Sequence, residues 1–175
     1  LIGEADILIE GFRPGVMERL GLGPDVCLKA NPALVFGRMT GWGQGGPLSH
    51  TAGHDLNYIA LTGALHAIGP EGGDPVGPLN RVGDLGGGAL YLAMGVLAAL
   101  VNVRGTGEGQ VVDAAIVDRT ASMMSMFYAF RQMNAWTPER GKHLLDGAAP
   151  FYGVYRTRDG GHMSVAAVGG TFYRE

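Results

Sequence analysis

Cysteine is almost missing: Cys27 is the one thiol among 175 residues. An internal disulfide is therefore excluded, and the usage suits a reducing, cytoplasmic compartment. Val26 and Leu28 flank it, which is the setting of a core thiol rather than a nucleophile. Basic charge is also scarce. Lys and Arg number 13 against 16 Asp and Glu, and the net charge of −3 argues against a general nucleic-acid binder. His50, His66, His143 and His162 lack metal-ligand spacing, and no second cysteine helps them, so no metal site is expected. Long hydrophobic runs are lacking too. Ala89 to Val103 is the longest, is too short for a bilayer, contains Gly95, and reads as a buried helix with no membrane partner. No basic n-region opens the chain at Leu1-Ile2-Gly3-Glu4. It starts without Met and stops at Tyr173-Arg174-Glu175 without a cap or tail, so a piece of a longer protein is expected.

Apolar residues make up 46% and charged residues 17%, enough for a sizeable core and unlike a disordered chain. Glycine is abundant, at 31 residues, without a collagen-like period. Tight turns and close backbone approaches explain such a count. Ala5 to Glu10 reads as a short buried strand, followed by the turn Gly11 to Gly15 and a brief helix, Val16 to Leu20. Asp25 is a candidate cap for another short helix before Asn31-Pro32. Leu34 to Thr40 reads as a second buried strand, and Leu56 to Leu65 has helical spacing that stops near Gly63. Asp84 is placed as the N-cap of a helix running to about Val103. Gln110 to Val117 is a third strand, and Asp118 opens an amphipathic helix rich in Met and Phe. Alternating strands and helices point to a parallel α/β sheet. After Trp136-Thr137-Pro138, Phe151 to Thr157 and His162 to Val168 read as antiparallel strands around the Asp159-Gly160-Gly161 turn. The expected division is a large α/β domain over 1–130, a linker over 131–149, and the start of a small β-rich domain over 150–175.

Two short motifs carry chemistry. Gly53-His54-Asp55-Leu56-Asn57-Tyr58 places an imidazole where a glycine loop meets a helix start. The bland alternative is a structural or surface histidine. Asn80-Arg81-Val82-Gly83-Asp84-Leu85-Gly86-Gly87-Gly88 places a carboxylate at the head of the long apolar helix. Asp84 is either a plain helix cap or a base beside main-chain donors that Gly86, Gly87 and Gly88 open to a substrate. An imidazole and a carboxylate together can move a proton onto and off a carbon acid. Arg13 and Arg19 surround a helix N-terminal turn and are either solvated or a phosphate site. Gly41-Trp42-Gly43-Gln44-Gly45-Gly46 matches a dinucleotide pattern, but Pro47 and Ser49 follow instead of a helix, so no NAD or FAD is expected.

The segment order resembles the class III CoA-transferase family (CaiB/BaiF type), and within it the α-methylacyl-CoA racemase branch. Ala5 to Gly21, Asn31 to Gln44, Gly83-Asp84 with the glycines after it, and Gly107 to Val117 carry the resemblance across nearly the whole chain. It implies a Rossmann-like parallel sheet with flanking helices, its large domain incomplete at the N-terminus and followed by the start of a small α+β domain. It also implies an interlocked homodimer, to which the Met- and Phe-rich helix would contribute. By resemblance, His54 and Asp84 are the two bases of 1,1-proton transfer at C2 of a 2-methylacyl-CoA thioester. Gly11, Phe12, Arg13 and Arg19 would contact the CoA nucleotide and phosphates. Gly53, Asp55, Leu56, Asn57 and Tyr58 would line the thioester and pantetheine, and Asn80 would orient Asp84 or the carbonyl. No separate cofactor is implied, since CoA arrives as part of the substrate. The resemblance carries two other readings: a CoA-transferase that uses Asp84 as a covalent nucleophile, and an inactive acyl-CoA-binding relative. One position departs from the racemase pattern. Gly169, in Ala166-Ala167-Val168-Gly169-Gly170, stands where a glutamate partner of the histidine is expected.

Overall fold

The structure, a computed structural model, describes residues 1–174. It divides into two compact units, Leu1–Thr62 with Leu79–Met124, and Gly63–Pro78 with the chain from Ser125 onward.

The first unit is built on a three-stranded parallel sheet in the order β1 (Ile7–Glu10), β2 (Val35–Thr40), β3 (Gln110–Ala115). Central β2 alternates its side chains between two apolar clusters. Val35 meets Leu92, Val96, Ala99 and Ala114 on one face, while Phe36 with Leu34 meets Met17 and Cys27 on the other. A strand covered on both faces reads as a continuous apolar run, as Leu34-Val35-Phe36 does. β1 is an edge strand and differs from the buried strand expected, since Ile7 and Ile9 are exposed and only its last residue, Glu10, is buried. Helices α1 (Val16–Arg19) and α2 (Pro24–Ala30) connect β1 to β2. Gly23, not Asp25, caps α2, because Pro24 occupies the first helical position and Asp25 falls inside the first turn.

Between β2 and β3 lie α3 (Asp55–Leu61) and a long helix. Gly63 adopts φ +78° and separates α3 from α4 (Ala64–Ala67), so the expected single helix is two. The long helix begins three residues before Asp84. Asn80 is its N-cap, Arg81–Leu90 is π-helical, and α5 (Tyr91–Thr106) continues it. The Leu85 N–H donates to the Asn80 carbonyl, the five-residue spacing of a π turn. Asp84 is therefore not the cap but a first-turn residue. By length and composition this 26-residue helix is apolar enough to cross a membrane, contrary to the shorter run anticipated. Leu92, Val96 and Ala99 of it pack on the sheet, and Leu90, Met94, Leu97 and Val101 are exposed. Gly37 in β2 permits that packing: a Cβ there would lie 3.1 Å from Leu92 and 3.2 Å from Val96. After β3, α6 (Ile116–Met123) starts two residues ahead of Asp118.

The second unit holds α4, α7 (Ser125–Gln132) and an antiparallel hairpin of β4 (Tyr152–Arg156) and β5 (His162–Ala166). The hairpin turns at Asp159-Gly160-Gly161, where Gly160 takes φ +87°. Arg140 ties this unit together by donating to the carbonyls of His66 (2.9 Å) and Gly73. Trp136 stacks on His143 with 3.8 Å between ring centroids.

Candidate active site

The carboxyl ends of β1 and β2 deliver the Gly11 to Pro14 turn and the Thr40 to Trp42 turn to one cleft, the usual place for ligands on a parallel sheet. The cleft measures about 230 Å³, and Gly11, Phe12, Arg13, Gly53, His54 and Tyr58 line it. Asn57 lines a separate, more open pocket with Trp42 and Leu61. Arg19, Asp55, Leu56 and Asp84 line neither.

A buried ion network braces the first turn. Parallel pairing sets Glu10 opposite Arg38. One Glu10 oxygen accepts from Arg38 Nε at 2.7 Å, and the other accepts from the Phe12 N–H at 2.7 Å. Arg38 Nη1 donates to Glu18 at 2.8 Å. Glu10 and Arg38 are both buried, so each oxygen and nitrogen so engaged offsets desolvation. Glu10 and Arg38 carry no motif in the sequence; only the strand register brings the pair together.

His54 sits in extended backbone as the N-cap of α3, with its N–H donating to the Asn57 side-chain oxygen at 3.0 Å. Tyr58, one turn on, donates its hydroxyl to the Gly53 carbonyl and sets its ring edge-on to Trp42, centroids 4.7 Å apart. Gly41 allows this, because a Cβ there would lie 2.1 Å from the Tyr58 ring.

Asp55 turns inward. It is buried, and its Oδ2 accepts the main-chain N–H of Asp84 at 2.7 Å. This bond joins α3 to the first turn of the π-helical segment. Burial, then the nearby Asp55 charge, pushes the Asp84 carboxyl above the ordinary aspartate range. The Asn80 side chain, hydrogen-bonded to Asp84, and the His54 charge act the other way. Burial and the Asp84 charge likewise raise the Tyr58 hydroxyl. Asn80, His54, Asp55, Tyr58 and Asp84 thus form one electrostatic cluster within the first unit.

The glycines after Asp84 serve the fold rather than an approaching ligand. A Cβ at Gly87 would lie 2.5 Å from Thr120 Oγ1, and one at Gly88 would lie 2.9 Å from Met39 Sδ. The N–H of Asp84 is taken by Asp55 and that of Leu85 by Asn80. The expectation of a main-chain donor site around Asp84 is corrected accordingly: protein groups occupy those donors.

The profile of CoA-transferase family III matches residues 1–175. The chain belongs to that family. Human alpha-methylacyl-CoA racemase is 45% identical over 173 residues, which cover 99% of this chain and 45% of that protein. The mouse alpha-methylacyl-CoA racemase gives the same identity and coverage. The chain thus spans about half the length of the curated relatives it matches. A crystal structure of a CAIB/BAIF family protein from Brucella suis superposes with a TM-score of 0.81 over 95% of this chain and 43% of that one, at 24% identity, which establishes the shared fold.

Proposed function

We propose that the whole protein interconverts the two C2 epimers of a 2-methylacyl-CoA by 1,1-proton transfer. The observation that carries this reading is the coupling of His54 and Asp84 in one cluster of a chain 45% identical to alpha-methylacyl-CoA racemases. One base takes the C2 proton, and the C–H electron pair moves into the thioester carbonyl to give a planar enolate. The other base returns a proton to the opposite face as the enolate collapses. A carboxylate held above its ordinary range is a stronger base, which suits removal of a weakly acidic α-proton.

Gly11, Phe12 and Arg13 line the cleft in keeping with binding of the CoA moiety, and Arg13 supplies a cation for a phosphate. Arg19 is exposed on α1 and would add a second cation at the nucleotide end. The protein acts as a homodimer in this proposal, which is supported by the exposed apolar row Leu90, Met94, Leu97 and Val101 on α5 and by exposed Met126 and Met133.

Deuterium incorporation at C2 of a 2-methylacyl-CoA in D₂O, with the full-length protein, tests the reading. Exchange that is lost in both His54→Ala and Asp84→Ala supports it. No exchange from a folded, acyl-CoA-binding protein refutes it. Family membership favours a second reading, acyl transfer through a covalent Asp84 intermediate. Hydroxylamine trapping of an Asp84 acyl adduct during turnover would establish that chemistry instead.

A further inference from the structure

Asp55 is a buried carboxylate without a cation. Its Oδ2 accepts one main-chain N–H, that of Asp84, and its Oδ1 is buried with no hydrogen-bond partner. The ion pairs among the described residues join Arg38 to Glu10 and Glu18, and Lys142 to Glu71; none reaches Asp55. A carboxyl group kept out of water with half its acceptor capacity unused costs the fold, and an apolar side chain would fill the same space more cheaply. The local backbone is nonetheless arranged to hold it. Gly83 packs directly on this carboxylate, and a Cβ at 83 would lie 2.6 Å from Oδ2 and 2.9 Å from Cγ. One residue beyond that glycine stands another carboxylate, Asp84, whose main-chain N–H the Asp55 Oδ2 accepts.

We infer that Asp55 is a positioning residue: sealed under Gly83, it anchors the main chain of Asp84 and keeps a fixed negative charge beside the carboxylate that exchanges the proton. This deepens the racemase reading and rests on it. A negative charge fixed nearby in a partly dry site disfavours ionisation of Asp84. Burial raises the Asp84 carboxyl most, and the Asp55 charge acts in the same direction. His54, at the cap of α3, and Tyr58, one turn along it, are the other titratable groups coupled to Asp84. α6, packed along the same helix, sets Thr120 and Ile116 against Gly87 rather than a charge. The Asp55 carboxylate thus makes Asp84 a better base by acting through it rather than on the substrate. A purely structural role at the first residue of α3 would need only its helix-start geometry.

The test uses the full-length protein labelled with ¹³C-aspartate, with the Asp84 carboxyl signal assigned by its loss in Asp84→Asn. Asp55→Asn keeps an oxygen for the Asp84 N–H and removes the charge. The Asp84 titration midpoint is expected to fall in that variant. In Asp55→Ala the Asp84 amide is expected to lose protection from hydrogen exchange. In the racemase assay Asp55→Asn is expected to lower kcat about tenfold at unchanged KM, a part of the roughly 10²–10⁴-fold that a positioned base supplies. The acid limb of its kcat–pH profile shifts to lower pH. An unmoved Asp84 midpoint in a folded Asp55→Asn protein, or unchanged Asp84 amide protection in Asp55→Ala, overturns the inference. These two readouts need no turnover. A wild-type protein without C2 exchange would therefore sink the racemase reading while the titration still decides the role of Asp55.

Discussion

Gly83→Ala is a single methyl group placed where the fold and the candidate site meet. The new Cβ would lie 2.6 Å from Asp55 Oδ2 and 3.0 Å from Ile59 Cγ2, against 3.4 Å for ordinary contact. Ile59 is fully buried and has no room to retreat. The carboxylate must therefore withdraw by about 0.8 Å, the gap between 2.6 and 3.4 Å. Its bond to the Asp84 N–H starts at 2.7 Å, so withdrawal away from the helix takes it to the outer limit of a hydrogen bond. Losing a bond to a charged acceptor costs about 1.5–3 kcal/mol. Overpacking adds about 1–3 kcal/mol. Replacing a helical glycine by alanine returns about 0.5–1 kcal/mol. The net expectation is a loss of about 2–5 kcal/mol, read as a urea midpoint lowered by about 1 M or more at unchanged m value. Gly105→Ala is the matched control, because it lies in the same long helix with no atom within 4 Å of its Cβ, and it should be neutral or stabilising. If Gly83→Ala behaves like Gly105→Ala, the close packing of Asp55 on residue 83 is refuted, and with it the anchoring of Asp84.

Arg38→Met should cost about 3–5 kcal/mol in urea unfolding, because it leaves the buried Glu10 carboxylate without its cation. The same variant should raise the Kd for CoA, since Glu10 also holds the Phe12 N–H at the cleft; unchanged affinity would separate the brace from ligand binding. Asp84→Asn should stabilise the fold at neutral pH. A folded-state value raised above the unfolded one means that ionising Asp84 works against folding, so its favourable contribution is complete below the unfolded aspartate range and is lost as pH rises through the folded value. The stability gap between Asp84→Asn and wild type should therefore close on acidification, and a gap independent of pH would contradict the burial and charge effects invoked. Tyr58→Phe should cost about 0.5–1.5 kcal/mol by removing the hydroxyl donor to the Gly53 carbonyl, measurable as a lowered Tm.

The parallel sheet was legible because β1, β2 and β3 are short apolar runs separated by Gly and Pro, and period-2 alternation on β2 sorts its side chains to two cores. The hairpin was legible because Asp159-Gly160-Gly161 is a strong turn signal between a Tyr- and Val-containing run and a second short run ending in Val165-Ala166. The head of the long helix was not. An Asp ahead of an apolar run looks like a cap, but Arg81 and Val82 carry no stop signal, and the widened π turns shift the start back to Asn80. Pairings across distant segments were equally hidden. Glu10 and Arg38 are 28 positions apart and become neighbours only through the β1–β2 register. Asp55 and Asp84 are 29 apart, and an Asp at the first position of a short helix ordinarily faces water.

The inward turn of Asp55 and the π-helical head of the long helix belong to one arrangement. π turns are rare overall and are frequent at functional sites. Here the widened segment carries Asp84 in its first turn and three close-packing glycines, Gly83, Gly87 and Gly88, that fit only against Asp55, Thr120 and Met39. Each element is unfavourable alone: glycine in a helix, a carboxylate without a cation, a second carboxylate beside it. A scaffold selected for stability alone would shed them, since an ordinary α-turn with alanines and an apolar residue at 55 would cost less. Together they hold the Asp84 carboxyl at a fixed place with its basicity raised, which is what the proposed proton transfer at carbon would require.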